Sequence, residues 1–146
     1  MKKIAFICVM LLAAPAFAQL PMAVVCQGET DTETDVCMEV FRAFVNTGVF
    51  SGAGEDKFYA MTVIPHEKDN YVAVSLGIDY VDRSCGGLMF ASQQAVLMFD
   101  KTVDQEQQLK TFSAKIAKSV LEWDAQAIPM IDKLCGKGYA VYVGNE

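Results

Sequence analysis

Residues 71–81 read YVAVSLGIDYV, and their alternation decides the fold class. Every second residue from Val72 to Ile78 is a branched apolar residue, and the residues between them are small or polar. Successive side chains of a β-strand point to opposite faces of a sheet. The spacing therefore predicts a strand that buries one face and leaves the other towards solvent.

Two further strand-like segments flank this one. Residues 58–64 are rich in aromatic and β-branched side chains, and residues 88–99 form a longer apolar run. Polar turns at 65–70 and 82–87 separate the three segments. Ser92-Gln93-Gln94 interrupts the last segment and suggests a bulge. Consecutive strands joined by short turns predict an antiparallel meander.

The segment before these strands predicts a helix. Thr30-Asp31-Thr32-Glu33 is a capping-box pattern, with a threonine at the cap and a glutamate three residues later. Apolar residues follow at helical spacing up to a glycine. We expect this helix to run from about Thr32 to Thr47 and to stop at Gly48. Residues 48–56 contain three glycines and predict a loop.

A second helix follows the strands. Apolar residues recur every three or four positions across 109–127, which is typical of an amphipathic helix. Residues 102–105 offer another capping box, with Thr102 as the cap. Pro129 is expected to kink or break the helix, and Gly136 or Gly138 to end it.

These elements predict an α+β fold of a single domain over 19–146. Residues 19–29 are interpreted as a short extended lead, and residues 139–143 as a last short strand. The expected order is α-β-β-β-α-β, with one antiparallel meander sheet and two helices packed on one of its faces.

The first eighteen residues, MKKIAFICVMLLAAPAFA, predict a secretory signal peptide. Two lysines precede an apolar stretch that is too short to span a bilayer, and small residues follow at the cleavage positions. We expect cleavage after Ala18, which leaves 128 residues. The predicted location is the periplasm of a Gram-negative bacterium or the extracellular space.

Four cysteines follow the predicted cleavage point, namely Cys26, Cys37, Cys85 and Cys135. An even number in an exported chain predicts two disulfides. The closest two are eleven positions apart, which does not fit the paired spacing of zinc ligands. Three pairings are possible. We favour 26–37 with 85–135, because a short loop before a helix can fold back onto the second turn of that helix.

The chain carries a net charge of −6, which becomes −8 when the two lysines of the signal peptide are removed. An acidic protein is a poor ligand for nucleic acid or an anionic membrane, since neutralising phosphates requires clustered lysine and arginine. The charge would suit a cationic partner. It also keeps a small protein soluble without any partner.

No pattern in the sequence predicts a cofactor or a metal site. His66 is the only histidine, and we place it in an exposed turn, where general acid–base catalysis lacks a positioned partner. Asp79 and Asp82 lie at one end of a predicted strand and resemble the facing carboxylates of a hydrolase. Aspartate is also common where strands end in turns.

The sequence favours a non-catalytic binding protein. Tyrosines beside acidic residues on a sheet are typical of protein interfaces. We therefore expect a partner-binding surface at Tyr71, Asp79, Tyr80, Asp82 and Arg83.

Three functions stay open. The first is an inhibitor, immunity-type protein or accessory factor that acts on another protein. The second is a component of a secretion or surface-assembly system, because the layout of helix, meander and long helix resembles that of small bacterial assembly factors such as curli secretion accessories. The third is a small periplasmic hydrolase that uses Asp79 and Asp82.

Overall fold

A computed structural model describes residues 19–52, 56–100 and 104–136. The predicted signal peptide and the predicted strand at 139–143 lie outside these residues. The described elements, in chain order, are β1 (Leu20–Cys26), α1 (Asp31–Val45), β2 (Phe50–Ser51), β3 (Lys57–Lys68), β4 (Tyr71–Asp82), a short 3-10 turn (Arg83–Cys85), β5 (Leu88–Asp100) and α2 (Gln105–Cys135).

The predicted antiparallel meander is present as β3, β4 and β5. Its first turn is shorter than expected, because β3 continues through His66 to Lys68. Only Asp69 and Asn70 connect it to β4, and Asp69 has a φ of 51°, the positive φ that tight hairpin turns favour. His66 is therefore exposed on a strand and not in a turn.

The polar interruption in β5 is a bulge, as predicted. Ile78 of β4 pairs with Gln93, and the next residue, Asp79, pairs with Ala91. Ser92 is the extra residue between these two pairs. The insertion lets the rest of β5 keep its apolar side chains in register with those of β4.

The predicted order of elements is wrong at the start of the chain. Residues 20–26 are a full strand, β1, which pairs in parallel with both β2 and β3. The sheet is therefore mixed, with the order β2-β1-β3-β4-β5. Strands in parallel pairs are often continuous apolar runs without alternation, as in MAVVC. The two-residue strand β2 lies inside the predicted loop at 48–56.

The first helix begins as the sequence predicts. The Thr30 hydroxyl accepts from the Glu33 N–H, and the Glu33 side chain accepts in return from the Thr30 N–H, which completes the capping box. The helix then runs over Asp31–Val45 and ends with Asn46 as its C-cap.

The second helix differs from expectation in two places. Its N-cap is Asp104 and not Thr102, and the Asp104 carboxylate accepts from two backbone N–H groups of the first turn. The helix also passes through Pro129 and ends at Cys135, with Gly136 as the cap. Pro129 is exposed, so water can satisfy the carbonyl that its ring leaves without a donor.

The core lies between the two helices and one face of the sheet, here called the inner face. Alternate residues of β3 and β4 line it, and Val40 and Val120 from the helices are fully buried against them. An aromatic cluster fills one end, where Tyr59 packs against Tyr80 and Trp123 at centroid distances of 5.4 and 6.2 Å.

Both favoured disulfides are present. Cys26–Cys37 joins the end of β1 to the second turn of α1, and Cys85–Cys135 joins the β4–β5 connection to the last residue of α2. Each bond fastens a helix to the sheet. Two disulfides in one small chain are typical of proteins that fold in an oxidising compartment.

Glu33 does more than cap its helix. It is 6% exposed, and one carboxylate oxygen accepts from the N–H groups of Glu29, at 2.7 Å, and Thr30. The other oxygen accepts from the Glu67 N–H near the end of β3, at 3.1 Å. The N–H of Glu29 contributes most to holding the pKa of Glu33 below its ordinary value. The carboxylate thus ties the start of α1 to the sheet.

Glu33→Gln is expected to lower the free energy of unfolding by about 2 kcal/mol at pH 7, because an amide offers one acceptor oxygen and turns an N–H group towards a donor. The folded state lowers the pKa of this carboxyl. Its contribution is therefore complete above the ordinary pKa near 4.5 and is lost as the pH falls through the lower folded value. Denaturant titrations at neutral and acidic pH should give a shallower acid loss in the variant. Glu122→Gln is the exposed control, and an acid limb identical to wild type would contradict the assignment.

Candidate functional site

The side of the sheet opposite the helices, here called the outer face, carries the most exposed apolar side chains of the strands. Val96, Met98 and Met89 of β5 are 68%, 63% and 61% exposed. Ile64 of β3 and Tyr71 of β4 are 42% and 50% exposed. The strand alternation places all five on this face, since each is next in sequence to a residue in or against the core, namely Val63, Val72, Phe90, Leu97 or Phe99. Four of them lie in three successive cross-strand rows, and Met89 lies three rows further along. Exposed apolar side chains that are grouped in this way mark interaction surfaces.

Short side chains surround Asp79 on three sides. Asp79 lies between Ala60 of β3 and Ala91 of β5 in one cross-strand row. Gly77, two residues before Asp79 on the same strand, lies between Thr62 of β3 and the exposed Gln94 of β5. The two alanines and the glycine are too short to hinder the approach of a second surface.

Asp79 is the charged residue between these short side chains, one cross-strand row from the Phe58 end of the outer face. It is half-buried, and among the described residues no hydrogen bond or ion pair involves its carboxylate. The bulge lies directly beside it, and the Ser92 hydroxyl at the bulge is buried without a hydrogen-bond partner within the described ranges. Bulges recur next to functional sites, where they re-aim side chains.

Charged residues border the outer face at both ends. Lys68, Tyr71 and Asp100 form the last cross-strand row at one end. At the other end, the Arg83 guanidinium lies 5.2 Å from the centroid of the Phe58 ring. The face therefore has an apolar part, one carboxylate near one end and charged residues at its borders, and an apolar surface with a polar rim is the usual anatomy of a protein interface.

Asp82 is on the inner face, and partners from its own chain surround it. One carboxylate oxygen accepts from the Ser84 hydroxyl at 2.5 Å and from the Cys85 N–H at 3.2 Å. Lys57 Nζ lies 3.6 Å from the other oxygen and 2.6 Å from Asp132 Oδ1. Burial alone would raise the pKa of Asp82, but the Ser84 hydroxyl and the Lys57 ammonium hold it below its ordinary value. This network fastens the β4–β5 connection to α2.

Tyr59 makes a further polar contact between the sheet and α2. Its hydroxyl donates to Asp124 Oδ1 at 2.7 Å, which links β3 to the middle of α2. Burial, followed by this hydrogen bond, raises the pKa of Tyr59 well above its ordinary value. The tyrosine therefore stays neutral and acts as a structural donor.

The five residues predicted to bind a partner do not share one surface. Asp79 and the exposed Tyr71 are on the outer face, and Arg83 is exposed at its rim. Tyr80 and Asp82 are 4% and 1% exposed on the inner face. Asp79 and Asp82 consequently point to opposite sides of the sheet and do not face each other.

The sequence interpretation missed the apolar part of the outer face. Val96 and Met98 fall within residues 88–99, a run of twelve residues without any charge or proline. Edge strands usually carry charged residues or proline, which prevent them from pairing with another chain, and β5 is the last strand of the described sheet. The lack of such residues in 88–99 indicates a strand that contacts another segment or another protein.

A second concave feature lies between the helices. A groove of about 730 Å³ separates the exposed side of α1 from the first turns of α2. Leu109 and Ala43 are among its apolar lining residues, and Glu39, Arg42 and Lys110 are among its charged ones. Its charges balance locally, and its buried hydroxyl, Ser113, already donates to a backbone carbonyl.

Comparison with known proteins gives no indication of function, so the function has to be inferred from the fold and the site. The chain matches no protein-family model, no curated protein and no solved structure. Within residues 19–52, 56–100 and 104–136, no three histidine, cysteine, aspartate or glutamate side chains are arranged to hold a metal ion. No helix in these ranges has the length and apolar character of a membrane span.

Proposed function

We propose that this protein is exported and acts without catalysis, as an inhibitor, immunity-type protein or accessory factor that binds another protein through its outer face. The observation that carries the proposal is the exposure of Val96, Met98, Met89, Ile64 and Tyr71 on one side of the sheet. The two disulfides and the predicted signal peptide support export.

The shape of the outer face favours a macromolecule as the ligand. Small molecules bind in concave sites that surround most of their surface. The part of this face around Asp79 is flat, since Ala60, Gly77 and Ala91 are its neighbours. Binding to a flat apolar surface depends on the area that the contact buries, and a protein partner can bury a large area.

The charge of the chain favours a basic partner. The net charge is −6, and the Asp79 carboxylate on this face has no partner among the described residues. Complementary charge accelerates association and makes it sensitive to salt. We therefore expect salt to release the partner.

Val96→Lys is expected to weaken partner binding about 100-fold, because it would place an ammonium group inside the apolar contact. The side chain is 68% exposed, so the substitution should leave the stability within about 0.5 kcal/mol of wild type. The matched control is Leu121→Lys on α2, a residue that is 41% exposed away from the outer face. Immobilised oxidised protein would be incubated with periplasmic extract of the producing organism and eluted with salt.

The proposal expects one basic protein, in stoichiometric amount, on wild type and on Leu121→Lys but not on Val96→Lys. Equal retention by both variants would place the binding surface elsewhere. Retention of a set of envelope proteins by the same pattern of variants would instead indicate a component of a secretion or surface-assembly system. Absence of any retained protein would contradict both readings.

A further inference from the structure

We propose that Asp79 is the point at which the partner inserts an arginine side chain, an inference that rests on the proposed function. The Asp79 carboxylate is half-buried on the outer face, between Ala60 and Ala91 in the cross-strand row next to the one at Phe58, Val81 and Met89. Both neighbours are too short to cover it. The carboxylate is thus open to a group that approaches perpendicular to the sheet.

A partner that covers the outer face would destabilise an unpaired Asp79 carboxylate. In the unbound protein, water solvates Asp79, and within the described residues it has no ion pair or hydrogen bond. A partner that covers the face removes that water, and an isolated buried carboxylate costs several kcal/mol unless it is paired. A partner that binds tightly must therefore bring hydrogen-bond donors or a positive charge to this position.

Arginine fits the position better than lysine does. A guanidinium group donates to both oxygens of a carboxylate, tolerates desolvation better than an ammonium group and stacks on flat surfaces. The small side chains around Asp79, including Gly77, leave room for a planar group to lie against the sheet.

A second copy of this chain is a poorer occupant. Its own outer face carries the same carboxylate, and each copy has a net charge of −6. Face-to-face association would cover Asp79 with an anionic surface. Like charges brought together in an interface oppose binding. The charge balance favours a partner that differs from this chain.

Two cyclised β-hairpin peptides would test the inference. Both have one apolar face, and they differ only at the central position of that face, which is arginine in one and the neutral isostere citrulline in the other. The oxidised protein, expressed from the complete chain 1–146, would be titrated with each peptide and followed by the backbone amide resonances of Ala60, Gly77, Asp79 and Ala91. We expect the arginine peptide to bind about tenfold more tightly, the ratio that corresponds to about 1.4 kcal/mol.

Two variants separate a specific contact from general attraction to an acidic protein. Asp79→Asn should reduce the ratio of the two affinities to about one. Asp35→Asn removes the same charge from an exposed position on α1 and should preserve the tenfold ratio. A ratio unchanged by Asp79→Asn would overturn the inference, and so would the absence of shifts at these four amides with the arginine peptide.

The two proposals fail in different ways. Loss of the arginine preference, together with a partner that still requires Val96, would remove only the role of Asp79. Failure of the capture experiment would remove the proposed function itself. Binding of free arginine with the same affinity as the arginine peptide would also contradict the inference, because the apolar face would then contribute nothing.

Discussion

Replacement of Cys85 and Cys135 by alanine is expected to lower the free energy of unfolding by about 4 kcal/mol. The disulfide between them closes a loop with a sequence separation of 50, and the entropy that a cross-link removes from the unfolded chain grows with the size of the loop. A loss of this size should lower the melting temperature by roughly 10–20 °C. Thermal unfolding followed by circular dichroism would measure it.

The second disulfide provides the internal comparison. Cys26–Cys37 has a sequence separation of 11, so its removal should cost about 3 kcal/mol, less than the larger loop. Adding a reductant to wild type should cost more than either pair of substitutions alone. A melting temperature that a reductant does not change would show that the cysteines are not paired in the protein.

Phe44→Ala is expected to destabilise the protein by about 3–5 kcal/mol. Phe44 is fully buried, and its ring packs against Phe50 and Phe112 at centroid distances of 6.0 and 6.4 Å. It therefore joins α1, β2 and α2 at one point, and these three elements cannot close the cavity without shifting towards one another from their present packing. Urea denaturation of the two proteins would give the difference.

The matched control for Phe44 is the same substitution on the outer face. Phe58 is half-buried and contacts the Arg83 guanidinium, so Phe58→Ala should cost about 1 kcal/mol. A similar loss for both substitutions would mean that the outer face is as well covered as the core. That result would also count against the outer face as a free binding surface.

Sequence patterns predicted correctly those elements that depend on residues close together in the chain or on the adjacent strand. The alternation of residues 71–81, the capping box at Thr30 and the polar interruption at Ser92 each act through neighbours in the chain or in the adjacent strand. The structure confirms the strand, the helix start and the bulge. It also confirms the favoured disulfide pairing. That pairing was predicted because the short loop after Cys26 can fold back onto the helical turn that contains Cys37.

The errors concern choices that depend on distant contacts. Residues 20–26 became a strand because β3, more than thirty residues later, offers a parallel neighbour once α1 has crossed over. The helix continues through Pro129 because burial of Ile131 and the disulfide at Cys135 hold its last turns on the sheet. Propensity rules describe an isolated segment and contain neither effect.

The candidate site was predictable in part. Asp79 and Tyr71 were selected from the sequence and lie on the outer face, whereas Tyr80 and Asp82 are buried in the core. Along β4 the odd-numbered residues lie on the outer face and the even-numbered residues lie on the inner face. Asp82 was included in the predicted surface because an aspartate at the end of a strand usually points into solvent. The structure shows instead that Asp82 is buried, where Ser84 and Lys57 stabilise its carboxylate.

The Cys85–Cys135 bond has a consequence for survival among proteases. It closes a covalent ring that contains β5 and nearly all of α2. A single cut anywhere inside this ring leaves both fragments attached to each other and to the remainder of the fold. Two cuts, or one cut followed by reduction, are needed before any part of the ring can diffuse away. A nick in α2, the longest described helix, therefore releases no fragment while the Cys85–Cys135 bond is intact.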